Sequence, residues 1–177
     1  FRLGRDIIGP QHTRCCFCAQ RPAANQTLEE HVRRCANGGG KQRAHTELKT
    51  GWMSMLSAAG MAPRPEWQPF PGINERLDIV ASIGSTSVLF DTAVCDATRE
   101  GLAPAALLSP GGAATKYQAT KVHKYGRHMH LAGADAILAP IVWDMYGAAG
   151  ECADEWTGRV SNIIAKRWGL HPSATTP

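Results

Sequence analysis

Two apolar runs joined by Gly84 and Ser85 constrain this chain more than any other stretch. Residues 76–94 read "RLDIVASIGSTSVLFDTAV". Their length, their β-branched content and the Gly-Ser turn predict two strands, 77–83 and 87–95, folded as a hairpin. Each strand carries one aspartate, Asp78 early in the first and Asp91 late in the second, so the hairpin brings the two carboxylates toward each other. A carboxylate in apolar company is costly unless it is paired or binds a cation. Two of them repel each other unless a divalent ion sits between, and Mg²⁺ suits one or two carboxylates together with substrate phosphates. Such an ion polarises a phosphodiester and acidifies its attacking water, and a nearby lysine steadies the charge that develops on phosphorus. On spacing alone a structural alternative stands beside this one: Asp78 caps a strand and Asp91 answers an arginine.

The flanking segments build a mixed α/β order around the hairpin. Residues 44–60 place Leu48, Trp52, Met55, Leu56 and Ala59 on one helical stripe, with Gly60 as terminator. The stretch 61–73, "MAPRPEWQPFPGI", is too rich in proline for a central strand. Residues 99–112 contain Gly101, Pro104, Pro110, Gly111 and Gly112 and predict a loop. A helix follows from 113 to near Gly133. Residues 136–143 predict a buried strand whose Pro140 points to an edge or a bulge. An amphipathic helix over 151–169 closes the chain before a frayed tail, 171–177. The sequence contains no internal repeat.

The cysteines sort by position. Cys15, Cys16, Cys18 and Cys35 crowd the first 35 residues, while Cys95 and Cys152 stand alone. Cys15-x2-Cys18 and His31-x3-Cys35 are separated by twelve residues, which is zinc-ligand spacing: a Cys-x2-Cys turn supplies two thiolates from one knuckle. Residues 27–34 predict a short helix with Thr27 as N-cap and Glu30 three residues on, a capping box. On it His31 and Cys35 lie at i and i+4 and face one side. Cys16 could replace Cys15, but the spacing favours Cys15. One disulfide with incidental thiols is the alternative. A knuckle this small holds its fold through the metal, and Arg14, Arg21, Arg33 and Arg34 would let it touch nucleic acid as well. The Gly-rich "ANGGGKQR" that follows, residues 36–43, predicts a flexible joint, which divides the chain into a knuckle over 1–37 and a larger domain over 41–170.

At 177 residues the chain suits one sizeable core. Hydrophobic content of 44% against 19% charged residues excludes a disordered chain. The net charge of +4 admits a polyanionic partner without requiring one. No window holds eighteen consecutive apolar residues, so no membrane span is expected. The chain opens on Phe1 without a signal peptide, as a fragment of a longer protein would.

Asp78-x12-Asp91, preceded by Arg76-Leu77, resembles the Pro-Asp…Asp motif of the restriction-like endonucleases of site-specific non-LTR retrotransposons. Those domains are similar to PD-(D/E)XK nucleases and carry a Cys-Cys-His-Cys knuckle just ahead of the nuclease fold, as Cys15, Cys18, His31 and Cys35 do here. The resemblance runs from about residue 12 to 168 and implies an αβββαβ core. It implies a Mg²⁺-dependent endonuclease that nicks target DNA and leaves a 3′-hydroxyl to prime a reverse transcriptase in the same parent chain, with a nuclear location. Asp78 and Asp91 would hold magnesium.

The superfamily's Asp/Glu-x-Lys is not kept, because Ala93 stands two residues after Asp91. Members of this retrotransposon type move the lysine to the following helix, where "KYQATKVHKYG" offers Lys121 and Lys124 as base or charge stabiliser. "QRAHTELK" is similar to the family's Arg-His pair, spaced one residue wider; Arg43 and His45 would contact DNA phosphate and Glu47 could add a metal ligand. Lys116, Tyr125 and Arg127 join the expected nucleic-acid face, and Lys41, Lys49, Lys121 and Lys124 extend the basic track. The alternative from another class is a domesticated, catalytically idle nuclease-like fold, a zinc-bearing RNA-binding or structural subunit of a ribonucleoprotein, organellar in location.

Overall fold

The computed structural model describes residues 13–15, 18–24, 27–35 and 40–170, without the side chains of Glu29, Arg33, Arg34 and Lys41. Cys16, residues 36–39 with the first two glycines of the run, the tail 171–177 and those arginine and lysine side chains therefore lie outside the described residues. The chain divides into two compact units, Phe1–Glu47 and Leu48–Pro177.

In the first unit, helix α1 (Leu28–Arg34) starts at the capping box its sequence predicts. Thr27 Oγ1 accepts from Glu30 N–H at 3.1 Å, and Glu30 Oε2 accepts from Thr27 N–H at 2.8 Å. Helix α2 (Gly40–Ala58) begins earlier than expected. Gly40, Gln42 and Arg43 are helical, which corrects the reading of 36–43 as joint throughout; only Gly40 in that helical start disfavours helix intrinsically.

In the second unit the rest of α2 leads into β1 (Arg64–Trp67), β2 (Leu77–Ile83) and β3 (Thr86–Cys95), which pair as an antiparallel run. Helices α3 (Ala103–Leu108) and α4 (Gly112–Gly126) and a 3-10 turn (Met129–Leu131) then carry the chain to β4 (Ala136–Asp144), parallel to β3, and α5 (Glu151–Arg167) follows. The four-stranded mixed sheet has the order β1-β2-β3-β4. From α2, the principal elements run helix, three antiparallel strands, helix, parallel strand.

Alternation along β3 assigns its faces. Val88 and Phe90 join Ile79, Ala81, Ala139 and Ile141 under Trp52 and Leu56 of α2 and Trp156 and Val160 of α5. Phe90 packs edge-on against Trp156, ring centroids 5.1 Å apart. On the opposite face Leu89 joins Leu77, Val80, Phe70 and Tyr125, and Ala93 and Cys95 pack with Ala113 and Ala114 of α4. With helices over both faces, β3 is a central strand buried on each side.

Three segments differ from expectation. The stretch 61–73 is not a central strand, yet it contributes β1 at the sheet edge, where Pro65 is tolerated. The predicted loop 99–112 contains α3, started by Pro104 in its first turn and with no buried residue of its own. The helix expected to run to Gly133 ends at Gly126, and the chain reaches Gly133, at φ +105°, through the 3-10 turn.

Candidate functional site

Two clusters carry chemistry, one in each unit. In the first, Cys15 N–H donates to the Gln20 carbonyl and Ala19 N–H to the Cys15 carbonyl, both at 2.8 Å, closing the knuckle turn. Ala19 takes a left-handed φ of 57° to make it. Cys18 Sγ lies 3.2 Å from His31 Nε2, and one ligand atom from each of Cys15, Cys18, His31 and Cys35 lies within 4.8 Å of the others. No disulfide joins any two of the described cysteines, so the disulfide alternative fails among them. Three thiolates and an imidazole at this spacing are a tetrahedral zinc donor set, and the cluster could hold zinc. The Gln20 N–H favours the Cys18 thiolate, but burial and the neighbouring Cys15 and Cys35 sulfurs outweigh it and raise the pKa. A bound dication would reverse that balance by neutralising the crowded sulfurs.

The second cluster starts from the register of β2 and β3. Their ladder includes Ile79 opposite Phe90, and one further step sets Asp78 across from Asp91. Asp78 Oδ2 accepts from both the backbone N–H and the hydroxyl of Thr92, each at 2.7 Å. Asp91 is only 4% exposed, faces α4 and is met there by two residues. Tyr125 hydroxyl donates to Oδ1 at 2.9 Å, and Lys121 Nζ lies 2.8 Å from Oδ2. The Lys121 contact with Oδ2 is an ion pair between two mostly buried groups. The mutual repulsion expected of the two aspartates is thus answered by Thr92 on one and by α4 on the other. The structural alternative paired Asp91 with an arginine; its partner is a lysine.

Helix α4 is placed by its first residues. Gly111 takes φ +75°, and a Cβ there would sit 2.0 Å from the Ala149 carbonyl oxygen. Gly112 approaches the Ala105 carbonyl as closely. Only glycine admits this packing, and it sets the axis along which Lys121 and Tyr125 reach Asp91.

Electrostatics define what these groups can do. Burial lowers the Lys121 pKa, but the charge and hydrogen bonding of Asp91, with smaller help from Tyr117 and Asp78, more than restore it and leave it raised. Lys121 is therefore a fixed ammonium. Burial, then the charges of Asp91, Glu75 and Asp78, push the Tyr125 phenol well above its usual range, so it stays a donor.

Of the other expected residues, Lys124 is exposed, with Nζ 3.0 Å from the Tyr125 hydroxyl and 4.4 Å from the ring centroid. Tyr125, expected on the nucleic-acid face, is only 2% exposed and cannot stack on a base; its hydroxyl serves Asp91. Lys116 and Arg127 are exposed, Arg127 donating to His128 Nε2 at 3.0 Å. Arg43 pairs with Glu47 at 2.9 Å, one turn along α2, so both charges are engaged within the helix; His45 is half-buried. Lys49 pairs with Glu66.

Thr92 and Glu75 were not singled out from the sequence. Thr92 sits one residue after Asp91 and reads as an ordinary strand residue. Glu75 Oε2 is buried without a hydrogen-bond donor, and its carboxylate acts on Tyr125. An acid three residues before Asp78 was the available signal.

No described helix is long and apolar enough to cross a membrane. No family model matches the chain, and no curated protein matches it.

Proposed function

We propose that the chain is a metal-dependent DNA endonuclease domain, PD-(D/E)XK-like, of the kind found in the restriction-like endonucleases of site-specific non-LTR retrotransposons. The observation that carries this reading is the buried carboxylate of Asp91 facing the Lys121 ammonium of the next helix, with Asp78 on the neighbouring strand. That is where a lysine displaced from Asp/Glu-x-Lys would have to stand. Glu75 Oε2, a buried carboxylate oxygen without a hydrogen-bond donor, adds a third acidic group whose charge, like those of Asp91 and Asp78, reaches Tyr125.

Asp78 and Asp91 would hold Mg²⁺, which when bound polarises the scissile phosphodiester and acidifies a water. The chain's own residues do the rest. Lys121, held protonated, stabilises negative charge developing on phosphorus and does not act as a base. Tyr125 fixes the Asp91 carboxylate through Oδ1. Lys124, exposed beside them, would meet a phosphate oxygen. Water oxygen bonds to phosphorus, the bond to the 3′ oxygen breaks, and the proton ends on that oxygen, leaving a 3′-hydroxyl for a reverse transcriptase of the same parent chain. The test is primer extension after incubation of a DNA duplex with the zinc-loaded chain and Mg²⁺. Extension from the nick supports the proposal; a 3′-phosphate at the nick contradicts this polarity.

A second reading has an observation of its own. Both oxygens of Asp91 already have partners, as a purely structural carboxylate would. On that reading the fold is an idle nuclease relative serving as a zinc-bearing RNA-binding or structural subunit of a ribonucleoprotein. RNA binding at constant affinity with and without Mg²⁺, in a chain that nicks no DNA, would favour it.

A further inference from the structure

Strand β1 carries an irregularity that nothing in its packing requires. All four residues, Arg64, Pro65, Glu66 and Trp67, are exposed, and Glu66 takes a left-handed φ of 54°. A non-glycine residue in that region inside a strand is uncommon and marks a site where the surrounding structure holds it. Lys49 on α2 does so through its ion pair with Glu66.

The consequence lies in the side chains on either side. In a regular strand residues i and i+3 point to opposite faces. The turn of the backbone at Glu66 cancels that alternation and brings the Arg64 guanidinium over the Trp67 ring, 4.5 Å from its centroid. Trp67 nevertheless stays 40% exposed. Among the described residues no carboxylate pairs with Arg64, while the nearby Glu66 is neutralised by Lys49. The exposed Arg76 precedes β2 on the adjoining strand. An open aromatic ring with a guanidinium stacked on it is what an unpaired nucleobase with its phosphate requires.

The place of this pair in the sheet is equally specific. Pro65 pairs with Ile79 and Trp67 with Leu77, so Glu66 lies across from Asp78. The Arg64–Trp67 stack thus borders the strand that presents the proposed metal-binding carboxylate. We propose that Arg64 and Trp67 form a stacking platform for an unpaired base of the DNA strand on which the site acts. This rests on the nuclease reading for the identity of the nucleic acid, and on β1 alone for the contact.

The experiment is fluorescence anisotropy of the full, zinc-loaded chain with a labelled oligothymidylate and with a duplex of equal length, in Ca²⁺ so that no strand is cut, alongside plasmid nicking in Mg²⁺. Trp67→Ala is expected to weaken oligothymidylate binding about tenfold, the usual loss for one stacked base, and duplex binding much less. Trp67→Phe, which keeps an aromatic face, should stay near wild type. Trp168→Ala, removing a still more exposed tryptophan at 68%, should change nothing. Unchanged single-strand affinity in Trp67→Ala, an equal loss in Trp168→Ala, or a wild-type chain that does not bind the single strand would each overturn the platform. If Trp67→Ala keeps that affinity while wild type nicks the plasmid, the platform falls and the nuclease reading stands. If the affinity drops in a chain that never nicks, the platform stands and the nuclease reading falls.

Discussion

The Lys121 ammonium lies 2.8 Å from Asp91 Oδ2, with only 19% and 6% of the two side chains exposed. A hydrogen bond from the Tyr125 hydroxyl closes the other carboxylate oxygen. This three-residue contact fastens α4 to the central strand, so the candidate chemistry and the stability of the second unit depend on the same atoms.

Asp91→Ala should therefore destabilise the metal-free protein by about 3 kcal/mol, since removing one partner leaves a mostly buried ammonium and phenol unanswered. Urea unfolding in EDTA measures it. A stability equal to or above wild type would mean that repulsion between Asp78 and Asp91, rather than pairing with Lys121, governs the apo state.

The same contact predicts alkaline sensitivity. Lys121 is raised above the ordinary lysine range and Tyr125 above the ordinary tyrosine range, each being near or above pH 10 in an unfolded chain. Above about pH 10 the folded state therefore holds protons that the unfolded chain has begun to release, and stability falls as pH rises. The contribution is complete below pH 10 and lost through the folded-state values. Tyr125→Phe should flatten this decline while lowering stability at neutral pH. A pH series of denaturation midpoints with identical slopes for both proteins would contradict it.

Zinc should bind at one ion per chain, with sulfur distances of ~2.3 Å and a nitrogen distance of ~2.0 Å by X-ray absorption. His31→Ala should lose the metal at modest chelator concentration. The cooperative unfolding of the residues from Leu48 onward should persist, because they form a compact unit with its own core. A purified chain without zinc would remove the knuckle from the account.

Gly111→Ala combines a left-handed φ with a Cβ 2.0 Å from a backbone oxygen. It should cost more than about 1 kcal/mol, the usual effect where alanine must take positive φ, and should weaken the Lys121–Asp91 contact by shifting α4. Thermal melting of Gly111→Ala against Gly101→Ala, where a Cβ meets nothing within 4 Å, isolates the effect.

Much of this was readable from residue pattern because local and tertiary signals agree. The β2–β3 hairpin lies within one residue of its expected bounds, since apolar runs and a Gly-Ser turn specify both strands and register. Thr27 and Glu30 announced α1, and the Cys/His spacing announced the ligand cluster. Strand β1 was hidden because Pro65 and the left-handed Glu66 break every strand rule locally while the pairing with β2 supplies the hydrogen bonds. Helix α3 was hidden because its proline and glycine neighbours read as loop. The burial of Tyr125 depends on Phe70, Leu77 and Leu89, distant in sequence, and no periodicity within "KYQATKVHKYG" separates its phenol from the exposed Lys124 beside it.

The central claim is that Asp91 and Asp78 serve phosphodiester cleavage, and supercoiled-plasmid nicking by the zinc-loaded chain tests it most directly. Wild type should convert plasmid to open circles in Mg²⁺ and not in EDTA. Asp91→Asn, which keeps the shape and a hydrogen-bond acceptor for Tyr125, and Asp78→Ala should fall to background while binding the plasmid nearly as well, since phosphate contacts supply most of the affinity. A folded wild-type chain that shows no Mg²⁺-dependent nicking, or nicking that survives Asp91→Asn, would contradict the account.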